Sequence, residues 1–376
     1  DVPLDDGEAE TFRARAGGLV PVERLRGAIN RATYSGREID ALVGAGGQCV
    51  ALAEDQRCLI HAAHGEAQKP RACQIFPLTF VTTPTEVRVG LSFACPAVLD
   101  GEGPLLESQR AELEALFTRA VDGTRYLLRV GDEVALATGV RLAWPDARAL
   151  IDELRAMLDG DAPLARRLCR MGALCALTQV ELEAGRPFAE AIAAARSGGE
   201  QLVDEALADP PAPDRLSRAM LRTLLRATQP ERGAAGRMGG VVSSLFGGGK
   251  IRLRDGRQVA LPEANRVRPG LTFAGEALLV RWLAGAIESL TFFGDAAFGL
   301  SIAGGLDLLV LSSALVALLA RAYAASAGRD AVTDEDARAA VRQLDAGLTH
   351  RSAMPRGFDR ALAATSALDL LREQLG

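Results

Sequence analysis

Cys49, Cys58, Cys73 and Cys95 are the side chains of this sequence best equipped for chemistry, and they place four of its six cysteines in one short window. Thiolates are soft, strongly donating ligands, and four of them suit Zn²⁺ or an iron–sulfur cluster. The spacing matches neither a C-x-x-C zinc finger nor a bacterial ferredoxin run. Spacing alone therefore also admits buried structural cysteines, a common fate of the free thiol. His61 and His64 lie nearby in sequence, and a neutral imidazole at His64 could cover an open coordination position. Lys69 and Arg71 flank Pro70 just ahead of Cys73, and positive neighbours of this kind stabilise thiolates. Phe76-Pro77 is expected to pack and orient the loop around Cys73. Cys169 and Cys175 sit six apart on a predicted helix, about 600° of rotation, so they face different ways and read as core residues.

The residues around the four thiols carry a family resemblance. Gln48-Cys49-Val-Ala-Leu52, Arg57-Cys58-Leu-Ile-His61, Gly65-Glu66, Lys69-Pro70-Arg-Ala-Cys73-Gln-Ile-Phe76-Pro77 and Phe93-Ala-Cys95-Pro96 follow in order. This series resembles the second half of the YkgJ-type cysteine-cluster family. Gly65-Glu66 and Cys95-Pro96 bring it closest to the flagellin lysine-N-methylase branch. The resemblance covers about a quarter of the chain, and the opening C-x-x-C-x-x-C-C run of the family is absent. A chain that starts at Asp1 without an initiator Met suggests truncation after those first cysteines; loss in a degenerate paralogue is the alternative. The resemblance implies a metal or iron–sulfur site at Cys49, Cys58, Cys73 and Cys95. It further implies S-adenosylmethionine-dependent methyl transfer to protein lysines, with a flagellin-like protein as possible substrate. The alternative is a non-enzymatic zinc- or iron-chelating protein whose helical part docks a partner. His61 stands where the family also uses Tyr, which argues against obligatory ligation there. No catalytic or donor-binding residue is indicated.

Other motifs fail on their mechanics. Phe246-Gly-Gly-Gly-Lys250 lacks the glycine and the Ser or Thr of a phosphate loop, having Ser244 and Ile251 at those positions. There is no G-x-G-x-x-G after a strand, no G-x-S-x-G elbow and no H-E-x-x-H helix. His350 follows a predicted helix, where a cation-capable residue favours the helix C-terminus more often than it serves as a base.

The elements expected to position the thiols are short and irregular over residues 1–104, with helices at Val20–Arg31 and Gly36–Val43 and strands at Phe80–Val81 and Glu86–Phe93. Turn chemistry at Asp100–Pro104 marks a boundary. Residues 105–376 read as a helical body: Leu106–Val121, a helix opened by Pro145, then Leu164–Glu183, Phe188–Arg196, Arg215–Thr228, Gly275–Ser289, Leu306–Ser326, Thr333–Leu348 and Phe358–Gln374. A hairpin turning at Asp255-Gly256 interrupts it near residues 250–261. Ala208–Pro213 reads as a stiff linker and Gly233–Gly249 as a mobile glycine-rich loop. Thr333 ahead of Asp334, Glu335 and Asp336 reads as a helix N-cap. The expected fold is α+β, mostly α-helical: a small cysteine-rich module followed by a helical body.

Length and composition agree with that division. With 376 residues and 48% hydrophobic content, the chain can build large cores without cysteine staples. A net charge of −5 with intermixed signs offers no basic face to nucleic acid. The apolar stretch from Phe292 to Ala320 is broken by Asp295 and Asp307, which favours a buried helix over a membrane span. No secretory signal is visible, so a cytoplasmic location with free thiols is expected.

Overall fold

A computed structural model describes residues 2–34, 37–42, 44, 49–55, 57–208, 213, 215–228, 250–349, 362 and 367–375. The chain is mostly helical with small sheets, as the periodicity predicts. It divides into two compact units. One is built on Asp1–Phe80 and Gly103–Leu128, the other on Val81–Glu102, Arg129–Thr349 and the C-terminal helix Ala367–Leu375. Residues 81–102, which the turn at Asp100–Pro104 groups with the cysteine module, are thus counted with the helical body.

In the first unit, strands Ile29–Tyr34 and Arg37–Leu42 pair antiparallel with Ile29 opposite Leu42, and Val2–Pro3 takes the other edge of Arg37–Leu42. This corrects the two helices expected there; only Val22–Leu25 is helical. Gly27, at φ 81°, ends that turn in a conformation that favours glycine. Glu38 is then exposed while Ile39 and Ala41 are buried, a period of two that lasts until Leu42, which is buried as well. Helices Glu8–Ala16 and Leu59–His64 contribute Phe12, Ala16 and Ile60 to a core with Leu4, Leu42 and Val50. The helical stretch expected from Leu106 to Val121 forms in three pieces, a 3₁₀ turn, the α-helix Arg110–Leu116 and a π turn at Phe117–Val121. The Phe117 ring packs against Phe80 with centroids 5.7 Å apart.

The second unit is organised on the 25-residue helix Ile302–Ser326. Among the described residues it is the one helix long and apolar enough to cross a membrane, but 83% of its apolar window is buried inside the protein. Helices Leu164–Glu183, Asp334–Thr349 and Ala367–Leu375 pack around it. Trp144, Trp282 and Tyr323 are buried. The predicted hairpin forms from Lys250–Arg252 and Gln258–Ala260, with Gly256 at φ 87° in its turn. A second hairpin, Glu133–Ala137 with Val140–Ala143, turns at Gly139 and escaped the sequence reading. Thr333 caps its helix as predicted: its hydroxyl accepts the Asp336 backbone N–H at 3.4 Å, and the Asp336 carboxylate accepts the Thr333 N–H at 2.9 Å. Residues 209–212 of the expected linker Ala208–Pro213, the glycine-rich loop at 233–249, His350, and residues 358–361 and 363–366 of the predicted final helix lie outside the described residues.

Two positions on the central helix yield predictions. A Cβ on Gly305 would lie 2.0 Å from the carbonyl oxygen of Phe292. Gly305→Ala must push backbone aside and is expected to cost about 1–3 kcal/mol, read from the urea midpoint. Asp307 shares an apolar helix with one other charged residue, Arg321, and burial pushes its carboxyl up to about 7. Because that value is raised above the ordinary ~4 of an unfolded chain, the folded state holds the proton longer. The stability this group contributes is then fully present below pH ~4 and is lost as the pH rises through about 7. Asp307→Asn should flatten that loss, its advantage over wild type growing by about 1–3 kcal/mol between pH 5 and pH 8. Urea titrations at the two pH values measure it, and parallel curves would contradict it.

Candidate metal-binding thiols

Cys73 sits in the short helix Arg71–Ile75, whose first turn begins at Pro70. The Pro70 carbonyl accepts from the backbone N–H of Cys73 at 2.8 Å and of Gln74 at 3.0 Å. Glu8 reaches across to accept the Arg71 backbone N–H at 2.8 Å, and its other oxygen accepts the N–H of Asp5 at 2.8 Å. Asp5 in turn accepts from the guanidinium groups of Arg71 at 3.1 Å and Arg125 at 2.6 Å. The buried Gln74 amide donates to the Lys69 carbonyl at 2.7 Å and accepts from Arg119 at 3.3 Å. A five-residue helix has little stability of its own; these side-chain bonds to distant segments fix where Cys73 stands.

Cys58 immediately precedes helix Leu59–His64 and forms a β-bridge with Leu52. The Leu59 N–H donates to the Ala51 carbonyl at 2.8 Å, holding Cys58 against the Val50–Leu52 turn. Cys49 opens that turn: its carbonyl accepts from Leu52 N–H at 3.1 Å, and Arg24 donates to the Leu52 carbonyl at 3.3 Å. Cys49 is exposed, while Cys58 and Cys73 are partly buried; all three are free thiols.

The first unit brings these three cysteines close enough to interact electrostatically. The Cys73 thiol is pushed up to about 12, chiefly by burial and then by the neighbouring charge of Cys49, with Lys69 opposing and Cys58 and Glu8 adding to the rise. This corrects the expectation that Lys69 and Arg71 hold the thiols ionised. Lys69 acts in the expected direction and is outweighed, and the Arg71 guanidinium is engaged by Asp5. His64 directs Nε2 to the Arg15 carbonyl at 3.2 Å, so that nitrogen is occupied as a donor. Phe76 is exposed instead of packed. Among the described residues, no three Cys, His, Asp or Glu side chains are set in a metal-holding group. The donors thus fit a soft cation in kind, but the described residues do not set them together as a coordination group.

Cys95 belongs to the second unit, where it precedes helix Pro96–Asp100. Its segment is clamped by residues the sequence reading passed over. The buried Asp345 accepts from Ser92 Oγ at 2.6 Å, Ala94 N–H at 3.0 Å and Trp282 Nε1 at 3.0 Å. Arg342 donates to the Ala94 carbonyl at 3.2 Å, Arg281 stacks on Phe93 at 5.5 Å, and Arg338 pairs with Asp100. The available signal was an acid four residues after Val341, on the buried face of its own helix.

Cys169 and Cys175 are buried on helix Leu164–Glu183, Cys169 against Ala173 and Val203. Burial pushes the Cys175 thiol up to about 12, with Asp307 adding to the rise. Both are packed residues, as their spacing suggests. No protein family, curated protein or solved structure matches the chain in comparison.

Proposed function

We propose that the first unit is a thiolate site for a soft metal, zinc or an iron–sulfur cluster, with Cys49, Cys58 and Cys73 as ligands. The observation that supports it is that Cys49 and Cys58, both free thiols, lie near enough for their charge to act on the Cys73 thiol, which an anchored helix holds in place. Thiolates crowded in this way repel one another, and a bound cation would replace that repulsion by attraction as it displaces protons. Cys95 is the fourth ligand in the set that the family resemblance implies. Methyl transfer from S-adenosylmethionine to protein lysine is the enzymatic form of this reading, and metal chelation with partner binding is its non-enzymatic form.

Thiol reactivity tests the metal site. Zn²⁺, or iron with sulfide under reducing anaerobic conditions, should protect Cys49, Cys58 and Cys73 together from alkylation, mapped by peptide mass. In Cys73→Ser the protection of Cys49 and Cys58 should be lost with it. Alkylation of all three at an unchanged rate in the presence of metal would overturn the proposal. Labelled methyl donor then separates the enzymatic form from the chelating one.

A further inference from the structure

A cavity of about 280 Å³ opens in the second unit among helices Arg215–Thr228, Leu261–Ala264, Ile302–Ser326 and Ala367–Leu375. Its inner wall is apolar: Leu221, Leu225, Leu318 and Leu370 line it, and each is buried. Protein interiors are otherwise close-packed, and space left between leucines is a standing loss of contact and a place where water finds no partners. The opposite end is polar. Arg218 and Arg222, one turn apart on the same helix, line it with Glu373, which accepts from Arg218 at 3.3 Å.

The charge behind this wall is the second observation. Arg321 is 5% exposed, and its guanidinium donates to three neutral oxygens: the carbonyls of Val267 at 3.1 Å and Asn265 at 2.8 Å, and the Gln374 amide oxygen at 2.8 Å. Asn265 and Gln374 also line the cavity. Burial lowers the Arg321 pKa, with Glu373 opposing, so an added anion nearby would stabilise this buried cation. Three guanidinium groups thus face or back the cavity, and Glu373 is the one carboxylate among its described lining residues. A small concave site with an apolar wall and a few convergent charged groups is the usual form of a small-molecule pocket.

We infer that this cavity binds a small amphipathic monoanion, an aliphatic carboxylate of medium chain length, with its chain against the leucines and its head at Arg218 and Arg222. The leucine wall distinguishes this ligand from a free anion such as acetate, and the arginines distinguish it from an uncharged alcohol.

The test uses octanoate, acetate and 1-octanol with the whole chain, by calorimetry and thermal unfolding. Octanoate should bind with unit stoichiometry and raise the unfolding temperature, and acetate and 1-octanol should bind at least tenfold more weakly. Arg218→Gln with Arg222→Gln should weaken octanoate at least tenfold. Leu221→Phe, which fills the cavity, should block it. Absence of octanoate binding to the wild-type chain would overturn the inference. So would undiminished binding to a Leu221→Phe protein that unfolds cooperatively; if that variant does not fold, the arginine pair decides in the same way.

Discussion

Asp345→Ala is expected to destabilise the second unit by about 3–5 kcal/mol, the largest effect of any single polar substitution considered. The carboxylate accepts three hydrogen bonds in a buried setting, from Ser92 Oγ, Ala94 N–H and Trp282 Nε1. Truncation leaves those donors buried without an acceptor, and each such loss carries its own desolvation penalty. Asp345→Asn makes the sharper comparison. One side-chain oxygen can still serve Ser92 and Ala94, while the amide NH₂ then faces the indole N–H, donor against donor. It should fall between Ala and wild type, and pairing it with Trp282→Phe should recover part of the loss. Urea unfolding of the four proteins measures this. An Asp345→Ala protein within about 1 kcal/mol of wild type would contradict the account of the clamp on the Ser92–Asp100 segment.

The second large effect is the pH dependence of metal binding. With its thiol pushed up to about 12, Cys73 carries a proton at neutral pH in the metal-free protein. A metal must displace that proton, so affinity should rise about tenfold per pH unit from this residue alone. Every further thiol that surrenders a proton contributes another factor of about ten per pH unit. Cys73→Ser should remove Cys73's share of the slope and lower the affinity by more than about 100-fold, beyond what losing an outer-shell partner costs. Competition against a chromophoric chelator between pH 6.5 and 8 reads both quantities. A wild-type affinity independent of pH would contradict ligation by Cys73.

Much of the helical body was legible because long amphipathic stretches carry their own signal. Leu164–Glu183 and Arg215–Thr228 form with the predicted bounds, and the Asp255-Gly256 turn marks its hairpin. The first unit was harder to read. Residues 29–42 mix charges with single apolar residues, and a span this short supports a period of two or of 3.6 almost equally. Tertiary pairing decided for strands, with Val2–Pro3 supplying an edge that no local pattern announces. The thiols themselves were visible by residue type, and the anchoring of Cys73 was not, since it depends on Glu8, Asp5 and Arg125 fixing a five-residue helix from distant segments. Asp345 stayed hidden for a related reason: its donors lie on other elements, and an acid on a helix is by default a solvated one.

The central claim, a soft-metal site on the first unit, is tested most directly by the zinc, iron and acid-labile sulfide content of protein purified without oxygen. The account predicts a stoichiometric metal, or iron with matching sulfide, that disappears when Cys49, Cys58 and Cys73 are all replaced by Ser. Zinc, iron and sulfide no higher in the wild type than in that triple variant would contradict it.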